Sequence, residues 1–126
     1  MKHSLHSIYL FASGSSWYTY IVMRIRREND IYDVEEIKLI SAASDALAHP
    51  LRVELFRFIY TENIARRQVC NKDLVAAFGY AQATVSQHMK TLVKSGLVES
   101  MKKDKATYYF VNAGLVYKYV DTVKKL

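Results

Sequence analysis

The chain has only one cysteine among its 126 residues, and this scarcity excludes one class of protein. A single thiol cannot form an intrachain disulfide, so the sequence does not encode a small secreted domain held together by disulfides. A lone cysteine is instead typical of a protein in the reducing cytoplasm. Half of the residues are hydrophobic and the charged fraction is ordinary, which predicts one folded domain with modest extensions.

The sequence also lacks the motifs that bind a cofactor or carry catalysis. It contains no P-loop, no GxSxG or HExxH motif and no recognisable pair of carboxylates. Cys70 and His88 do not form a recognisable pair of nucleophile and base. We therefore expect neither an enzyme nor a bound cofactor.

The N-terminal segment lacks charge, but it also lacks a long hydrophobic run. Residues Ser4 to Met23 contain no Lys, Arg, Asp or Glu, yet serine, histidine, glycine and threonine interrupt the apolar residues. A membrane-spanning helix needs about 20 mostly apolar residues, and only Lys2 precedes the segment as the basic start of a secretory signal. We interpret residues 1–30 as a poorly ordered extension of a domain that spans residues 31–126. A membrane tether in residues 1–23 and a true start at Met23 are the alternatives.

Positive charge is concentrated in the C-terminal third of the chain. The formal net charge is +6, which favours a polyanionic partner. Residues 1–81 contain ten Lys or Arg and nine Asp or Glu, whereas residues 82–126 contain eight Lys and only three acidic residues. The excess charge therefore lies on the C-terminal elements, and we expect a polyanion to bind there.

The stretch from Gln82 to Leu97, QATVSQHMKTLVKSGL, has the pattern of an amphipathic helix whose polar face carries no acidic residue. Ordinary exposed helix faces usually mix both signs of charge. A face that enters the major groove must keep carboxylates away from phosphates, and it needs short polar side chains near the base edges. Gly96 is expected to end the helix. The apolar face comprises Val85, Met89, Leu92 and Val93, and the polar face comprises Ala83, Thr84, Gln87, Lys90, Thr91 and Lys94.

The residues before this helix predict three further helices. A first helix begins near Asp33, and Pro50 breaks the chain or starts a second, strongly apolar helix. The segment from Thr61 to Gln68 is expected to be a polar linker. Asn71 can cap a short third helix, which Gly79 ends. Two helices joined by a turn that contains glycine form the helix-turn-helix arrangement.

Two short strands and a last helix follow. Leu97 to Met101 and Thr107 to Val111 have strand character, and a basic turn from Lys102 to Ala106 joins them. A hairpin of this kind directly after a helix-turn-helix is a wing. Asn112 can cap a last helix that carries an apolar stripe. The lysines at the tip of the wing are Lys102, Lys103 and Lys105.

The first and last helices predict a homodimer. Both carry apolar stripes, although they flank a compact core that needs little further cover. Burial against a second subunit would remove these stripes from water. Two-fold symmetry would then place two recognition helices about 34–36 Å apart, one turn of DNA.

From about Ser44 to Val111 the sequence resembles the ArsR/SmtB family of dimeric winged-helix repressors. The resemblance is carried by ALAHPLRVELFRFI (Ala46–Ile59), NKDLVAAFGYAQATVSQHMKTLVKSGLVES (Asn71–Ser100) and the wing with Tyr109. It implies a mainly α winged helix-turn-helix with a small β-hairpin, in the order α1-α2-α3-α4-β-β-α5. It also implies a dimer built from the terminal helices, which binds a double-stranded DNA operator and blocks transcription until an effector weakens binding.

The resemblance also implies which residues contact the operator. Thr84, Ser86, Gln87 and His88 would contact the operator, while Lys90 and Lys94 would point toward phosphates. Combined with the polar helix face and the wing, these positions complete the predicted interface. The candidate DNA-binding residues are Gln82, Ala83, Thr84, Ser86, Gln87, His88, Lys90, Thr91, Lys94, Lys102, Lys103 and Lys105.

The chain departs from the resembled family at the sites that sense metals. Many members hold a metal with a CVC motif, where this chain has Cys70, Asn71 and Lys72. A soft-metal site needs two or three thiolates, and a neighbouring lysine would repel the metal. The last helix offers Asp121 and no histidine for the other common site. We therefore expect no metal site, and the effector is unidentified.

Three residues have both a functional and a structural interpretation. Cys70 is either a redox or electrophile switch at the start of the third helix or a small, partly buried hydrophobic side chain. His49 is interpreted as structural, because no cluster of Cys, His or Asp surrounds it in the sequence. His88 either contacts phosphate or packs at the edge of the core.

The function predicted from the sequence is that of a cytoplasmic, homodimeric DNA-binding repressor. The alternative is a winged-helix module that binds protein and not DNA. The polar face of the recognition helix separates the two hypotheses, because its only charges are lysines and this favours a polyanion.

Overall fold

A computed structural model of the chain describes residues 34–126. The expectations for the N-terminal extension and its alternatives lie outside these described residues. Within them, five helices and three strands form the predicted winged helix-turn-helix. None of these helices combines the length and the hydrophobicity needed to cross a bilayer. The elements are α1 (Val34–Ala46), α2 (Pro50–Ile64), β1 (Val69–Cys70), α3 (Asn71–Phe78), α4 (Gln82–Ser95), β2 (Val98–Lys103), β3 (Ala106–Val111) and α5 (Ala113–Lys124).

Helix α2 begins at the predicted proline and ends later than predicted. The N–H of Leu51 donates to Nδ1 of His49 at 3.1 Å, so this histidine caps the helix and has a structural role. The helix then continues through residues 61–64, which the sequence analysis assigned to a linker. Asn63 holds this polar end, since its amide oxygen accepts the N–H of Val111 at 2.9 Å. Hydrophobic periodicity cannot reveal a helical turn whose contacts are polar.

Helices α3 and α4 form the helix-turn-helix. Gly79 and Gly96 end them in the left-handed conformation, with φ angles of 72° and 87°, as the sequence predicts. The start of α3 differs from the prediction, because Cys70 is the N-cap and Asn71 is the first helical residue. The N–H of Cys70 donates to the carboxylate of Asp73 at 2.9 Å. The side chain of Asn71 is thereby available to contact α4.

The wing belongs to a three-stranded antiparallel sheet with the strand order β1-β3-β2. The sequence predicted only the hairpin of β2 and β3, because the two residues of β1 are too few to show a period-2 pattern. Val69 lies opposite Tyr109, and Cys70 lies opposite Tyr108. Through β1, the chain that leads into α3 is hydrogen-bonded to the wing.

One hydrophobic core joins α2, α3, α4 and the sheet. The predicted apolar face of α4 lies in it, with three residues fully buried and Val93 half-buried against it. Leu55 and Ile59 of α2 are also fully buried. Truncating a buried leucine such as Leu55 to alanine costs about 2–5 kcal/mol of folding free energy. The buried apolar residues are Ala43, Ala46, Leu51, Leu55, Ile59, Val69, Leu74, Val85, Met89, Leu92, Leu97, Val98 and Tyr109.

The terminal helices contribute little to this core. The only buried residues of α1 are Ala43 and Ala46, and the only one of α5 is Thr122. Asn112 caps α5 as predicted, since its side-chain oxygen accepts the N–H of Leu115 at 3.1 Å. Both helices therefore leave apolar surface in contact with water. The large exposed apolar side chains on them are Val34, Ile37, Tyr117 and Val120.

Candidate nucleic-acid interface

The outward face of α4 presents the polar side chains that the sequence assigned to it. No acidic residue occurs anywhere in this helix, and Lys94 lies in its last turn. The face offers amide, hydroxyl and ammonium donors in one row, which is the chemistry that base edges and phosphates accept. Thr91 is half-buried at its margin. The exposed members are Gln82, Ala83, Thr84, Gln87, Lys90 and Lys94.

Ser86 lies on the edge of α4 that faces α3. It is half-buried, and its hydroxyl accepts a hydrogen bond from Nδ2 of Asn71 at 3.2 Å. This bond joins α4 to the first turn of α3. A role for Ser86 in direct base contact would compete with this internal contact. The sequence pattern predicts a helix cap at Asn71 and does not indicate this contact.

His88 lies on the opposite edge of α4 and faces α2. Its ring centroid is 4.6 Å from that of His49, and its Nδ1 atom is 3.3 Å from a terminal nitrogen of Arg52. Because a guanidinium only donates, Nδ1 must accept, and the neutral ring carries its proton on Nε2. The structure thus gives His88 partners within the protein, which favours the packing interpretation over direct phosphate contact.

The surroundings of His88 lower the pKa of its imidazole. Partial burial disfavours the charged ring, and the neighbouring His49 and Arg52 add electrostatic repulsion. The ordinary pKa of histidine is about 6.5, which is already below pH 7. Because the surroundings lower the pKa of His88 from this value, its ring is mostly neutral near pH 7. A neutral His88 adds no charge to the DNA-facing side of α4. Its Nδ1 atom serves as a hydrogen-bond acceptor for Arg52 on α2.

Arg52 connects three helices, a role that no pattern in the sequence predicts. Besides contacting His88, it donates from Nε to the carbonyl of Ala46 at 2.6 Å and from a terminal nitrogen to the carbonyl of Asp45 at 3.3 Å. Both carbonyls lie at the C-terminal end of α1, where helix carbonyls lack partners within the helix. Arg52 lies in the AHPLR stretch, which is part of the family resemblance, but only the fold shows which groups its side chain joins.

The wing is tighter than the sequence predicted. Its strands extend to Lys103 and resume at Ala106, so the turn contains only Asp104 and Lys105. Both turn residues have positive φ angles, 51° and 67°, as a two-residue hairpin turn of type I′ requires. All three wing lysines are exposed at or beside this turn. With Asp104 between them they give the tip a net positive charge, and Lys105 lines the same cavity as Gln82 and Ser86 of α4.

Cys70 is half-buried at the junction of β1 and α3, and its thiol lines the space between α3, α4 and the wing. Tyr109 lies nearby and is buried, and its burial together with the negative charge of an ionised Cys70 raises the pKa of its phenol. Within residues 34–126, no group of three or more His, Cys, Asp or Glu side chains could hold a metal ion.

Residues 62–100 match a family model described as bacterial regulatory protein, arsR family. This match begins near the end of α2, includes the whole helix-turn-helix and ends in β2. None of the curated proteins compared with the chain matches it.

Solved structures of low sequence identity share the fold. An ArsR-like transcriptional regulator from Rhodococcus sp. RHA1 has a TM-score of 0.63 at 20% identity, with 73% of this chain and 82% of that chain covered. NolR from Sinorhizobium fredii has a TM-score of 0.54 at 21% identity, with 72% and 86% covered. The homodimeric winged helix-turn-helix DNA-binding domain of a possible ArsR-family regulator from Mycobacterium bovis has a TM-score of 0.55 at 19% identity, with 71% and 80% covered. Residues 62–100, which contain the helix-turn-helix, are thus similar to the bacterial regulatory proteins of the arsR family, and the solved structures share the winged-helix fold around them.

Proposed function

We propose that the chain is a cytoplasmic, homodimeric transcriptional repressor that binds a specific double-stranded DNA operator. The observation that carries the proposal is the exposed face of α4, which lacks acidic residues and lies beside a lysine-tipped wing. The match of this segment to a family of bacterial regulatory proteins supports it. A solvated helix face without a function would not need to exclude carboxylates.

In this proposal α4 enters the major groove. The amide of Gln87 can donate and accept at once, which suits the N6 and N7 atoms of adenine, while Ala83 can contact a thymine methyl group. Thr84 reads a neighbouring base edge. Lys90, Lys94 and the wing lysines neutralise phosphates and hold the protein in register without reading sequence.

The dimer is proposed to form through α1 and α5. The hydroxyl groups of Ser44 and Tyr119 are hydrogen-bonded at 3.0 Å, so the two helices are in contact at this point, and both carry exposed apolar side chains. The Mycobacterium bovis domain of similar fold is described as homodimeric, which supports the same assembly here. Two-fold symmetry would place the two α4 helices one DNA turn apart.

The proposal includes no metal sensor. Cys70 is the only thiol in the chain, and the exposed ammonium group of Lys72 follows two residues later. One thiolate beside a cation is a poor site for a soft metal. Control of DNA binding is therefore proposed to depend on another kind of effector.

Selection of bound genomic fragments with the purified full-length protein tests the function. We expect enrichment of an imperfect palindrome, and fluorescence anisotropy with that fragment should show an affinity that falls steeply with added salt. A winged-helix module for protein binding is the second candidate. Absent or salt-insensitive binding to duplex DNA would reject the repressor and favour that candidate.

A further inference from the structure

Gln87 lies between two residues of α4 that are bonded to other helices. Successive residues of an α-helix are about 100° apart around its axis. Val85 and Met89 are fully buried in the core, so Gln87 points outward and is exposed. Ser86 and His88 therefore lie on the two edges of the helix, and both are half-buried. The segment that carries the proposed base contact is thus joined to the rest of the domain on both sides.

The bonds at the two edges differ in their donors. Ser86 accepts from the neutral amide of Asn71 at 3.2 Å, whereas His88 lies 3.3 Å from a terminal nitrogen of the Arg52 guanidinium. A hydrogen bond from an ionised donor is stronger than one between neutral groups. The bond at the edge of α4 that faces α2 is therefore the charge-assisted one.

The guanidinium of Arg52 is itself held by the end of α1. Its Nε atom donates to the carbonyl of Ala46 at 2.6 Å, and its Nη2 atom donates to the carbonyl of Asp45 at 3.3 Å. Only Nη1 then points to Nδ1 of His88. The planar fork of an arginine presents its donors in fixed directions. Other bonds to the same group therefore orient the donor that His88 meets, which is how precise sites are commonly supported.

We propose that Arg52 is a positioning residue for operator reading, which acts through His88 on the placement of Gln87. A hydrogen bond to a base edge requires its two atoms to meet within a few tenths of an ångström. The attraction between a lysine and a phosphate changes more gradually with distance. Loss of Arg52 should therefore weaken binding to the specific sequence and leave general attraction to duplex DNA intact. This inference rests on the proposed function, because it names a residue that supports the same face of α4.

Arg52→Lys is the main test of this role. It keeps the positive charge and an apolar stem, but one ammonium group cannot replace the fork that joins α1 to His88. Fluorescence anisotropy, at a temperature where each variant is folded, measures affinity for the duplex selected from genomic fragments and for a scrambled duplex. We expect affinity for the selected duplex to fall about tenfold, comparable with the loss of one base contact. Affinity for the scrambled duplex should change by less than about twofold.

Arg57→Lys is the matched control, because Arg57 is an exposed arginine on the same helix. It should bind both duplexes like the parent protein. Arg52→Lys with an unchanged preference for the selected duplex would overturn the proposal.

The salt dependence separates positioning from a direct contact with DNA. Arg52→Met removes both the charge and the fork. A side chain that touches no phosphate releases no counterion, so the slope of log affinity against log salt should equal that of the parent protein. A slope that is smaller by about one in Arg52→Met, but not in Arg57→Met, would show that Arg52 binds the DNA backbone and would overturn the proposal.

Variants of His88 test the route through which Arg52 acts. His88→Leu removes the acceptor, whereas His88→Asn offers an amide oxygen close to the position of Nδ1. We therefore expect His88→Asn to retain more of the preference for the selected duplex than His88→Leu does. Arg52→Met combined with His88→Leu should bind no more weakly than the weaker single variant, because both changes remove the same bond. Additive losses, or equal affinities of His88→Asn and His88→Leu, would contradict this route.

The behaviour of the parent protein separates this inference from the proposed function. A parent protein that binds the selected and the scrambled duplex equally rejects specific DNA reading, and the positioning role with it. A parent protein that prefers the selected duplex, together with Arg52→Lys that keeps this preference, rejects the positioning role alone. Loss of the preference in Arg52→Lys, with unchanged affinity for the scrambled duplex, supports both.

Discussion

The surface formed by α4 and the wing differs in chemistry from the surface formed by α1 and α5, and each therefore suits a different kind of partner. The first exposes amide, hydroxyl and ammonium groups, which water solvates well. The second exposes large apolar side chains, whose removal from water contributes about 25 cal/mol per Å². A polyanion therefore gains the most binding free energy at the surface of α4 and the wing. An apolar protein surface gains the most at that of α1 and α5. One small domain thus separates its two proposed contacts, with DNA and with its own copy, by their physical chemistry.

A carboxylate on the terminal helices should have the largest effect. Val120→Asp places a charge where the proposed dimer excludes water, so we expect a monomer and a loss of operator affinity of about 100-fold or more. Light scattering after size-exclusion chromatography measures the mass. Ile64→Asp is the matched control, because Ile64 is an exposed apolar residue at the end of α2. A Val120→Asp protein that remains dimeric would exclude this part of α5 from the interface.

The next largest effect should come from the polar face of α4. Gln87→Ala removes a side chain proposed to read a base edge, and we expect a cost of about 1–3 kcal/mol in operator binding with relaxed preference at one base pair. Anisotropy with the operator and its single-base variants measures both. Gln68→Ala, at an exposed position before β1, is the control. Unchanged binding by Gln87→Ala would show that another face of the protein reads the DNA.

A smaller and uniform effect is expected from the wing. Lys103→Ala should weaken binding to all duplexes alike and reduce the slope of log affinity against log salt by about one, since one phosphate contact is lost. Lys118→Ala removes the same charge from α5 and should leave the slope unchanged. A slope that is the same for both variants and the parent protein would place the wing away from the DNA backbone.

The imidazole of His88 predicts a pH dependence of stability. Its pKa is lowered in the folded chain, so the unfolded chain binds the proton first as the pH falls. The contribution of the neutral ring to the free energy of unfolding is therefore fully present above about pH 6.5, the pKa in the unfolded chain. It is lost as the pH falls through the lower pKa of the folded chain. In His88→Asn, whose amide can still accept from Arg52, thermal unfolding should depend less on pH between about 7.5 and 5.5. An identical pH dependence in both proteins would contradict the assigned cause.

The smallest effect is expected at Cys70. We expect Cys70→Ser to bind the operator like the parent protein, both before and after treatment with hydrogen peroxide, because the half-buried thiol packs as a small hydrophobic group. Anisotropy measures both states. Loss of binding only in the oxidised parent protein would establish the redox switch in its place.

The sequence predicted those parts of the fold that one element determines alone. The apolar stripe of α4, the glycines that end α3 and α4, and the cap of α5 at Asn112 are local patterns, and the structure confirms them. The sequence also predicted which side chains of α4 are polar and free of acids. Helix geometry alone decides that these residues share a face.

The missed features depend on contacts between distant segments. Strand β1 has two residues and is defined by pairing with β3, and the last turn of α2 is held by Asn63 through a bond to Val111. The partners of Ser86 and His88 lie 15 and 36 residues away, on α3 and α2. A pattern along one element cannot reveal which of its edge residues meet another element, and these two residues lie on such edges.

The contacts of Arg52 have a mechanical consequence. One rigid, planar group binds the last carbonyls of α1 and an imidazole on α4, and the bonds that it forms tolerate little change in length. A displacement of α1 would therefore strain or break these bonds unless the arginine side chain or α4 moved as well. In the folded chain this one side chain joins the end of a helix on the apolar surface to the helix that forms the polar one.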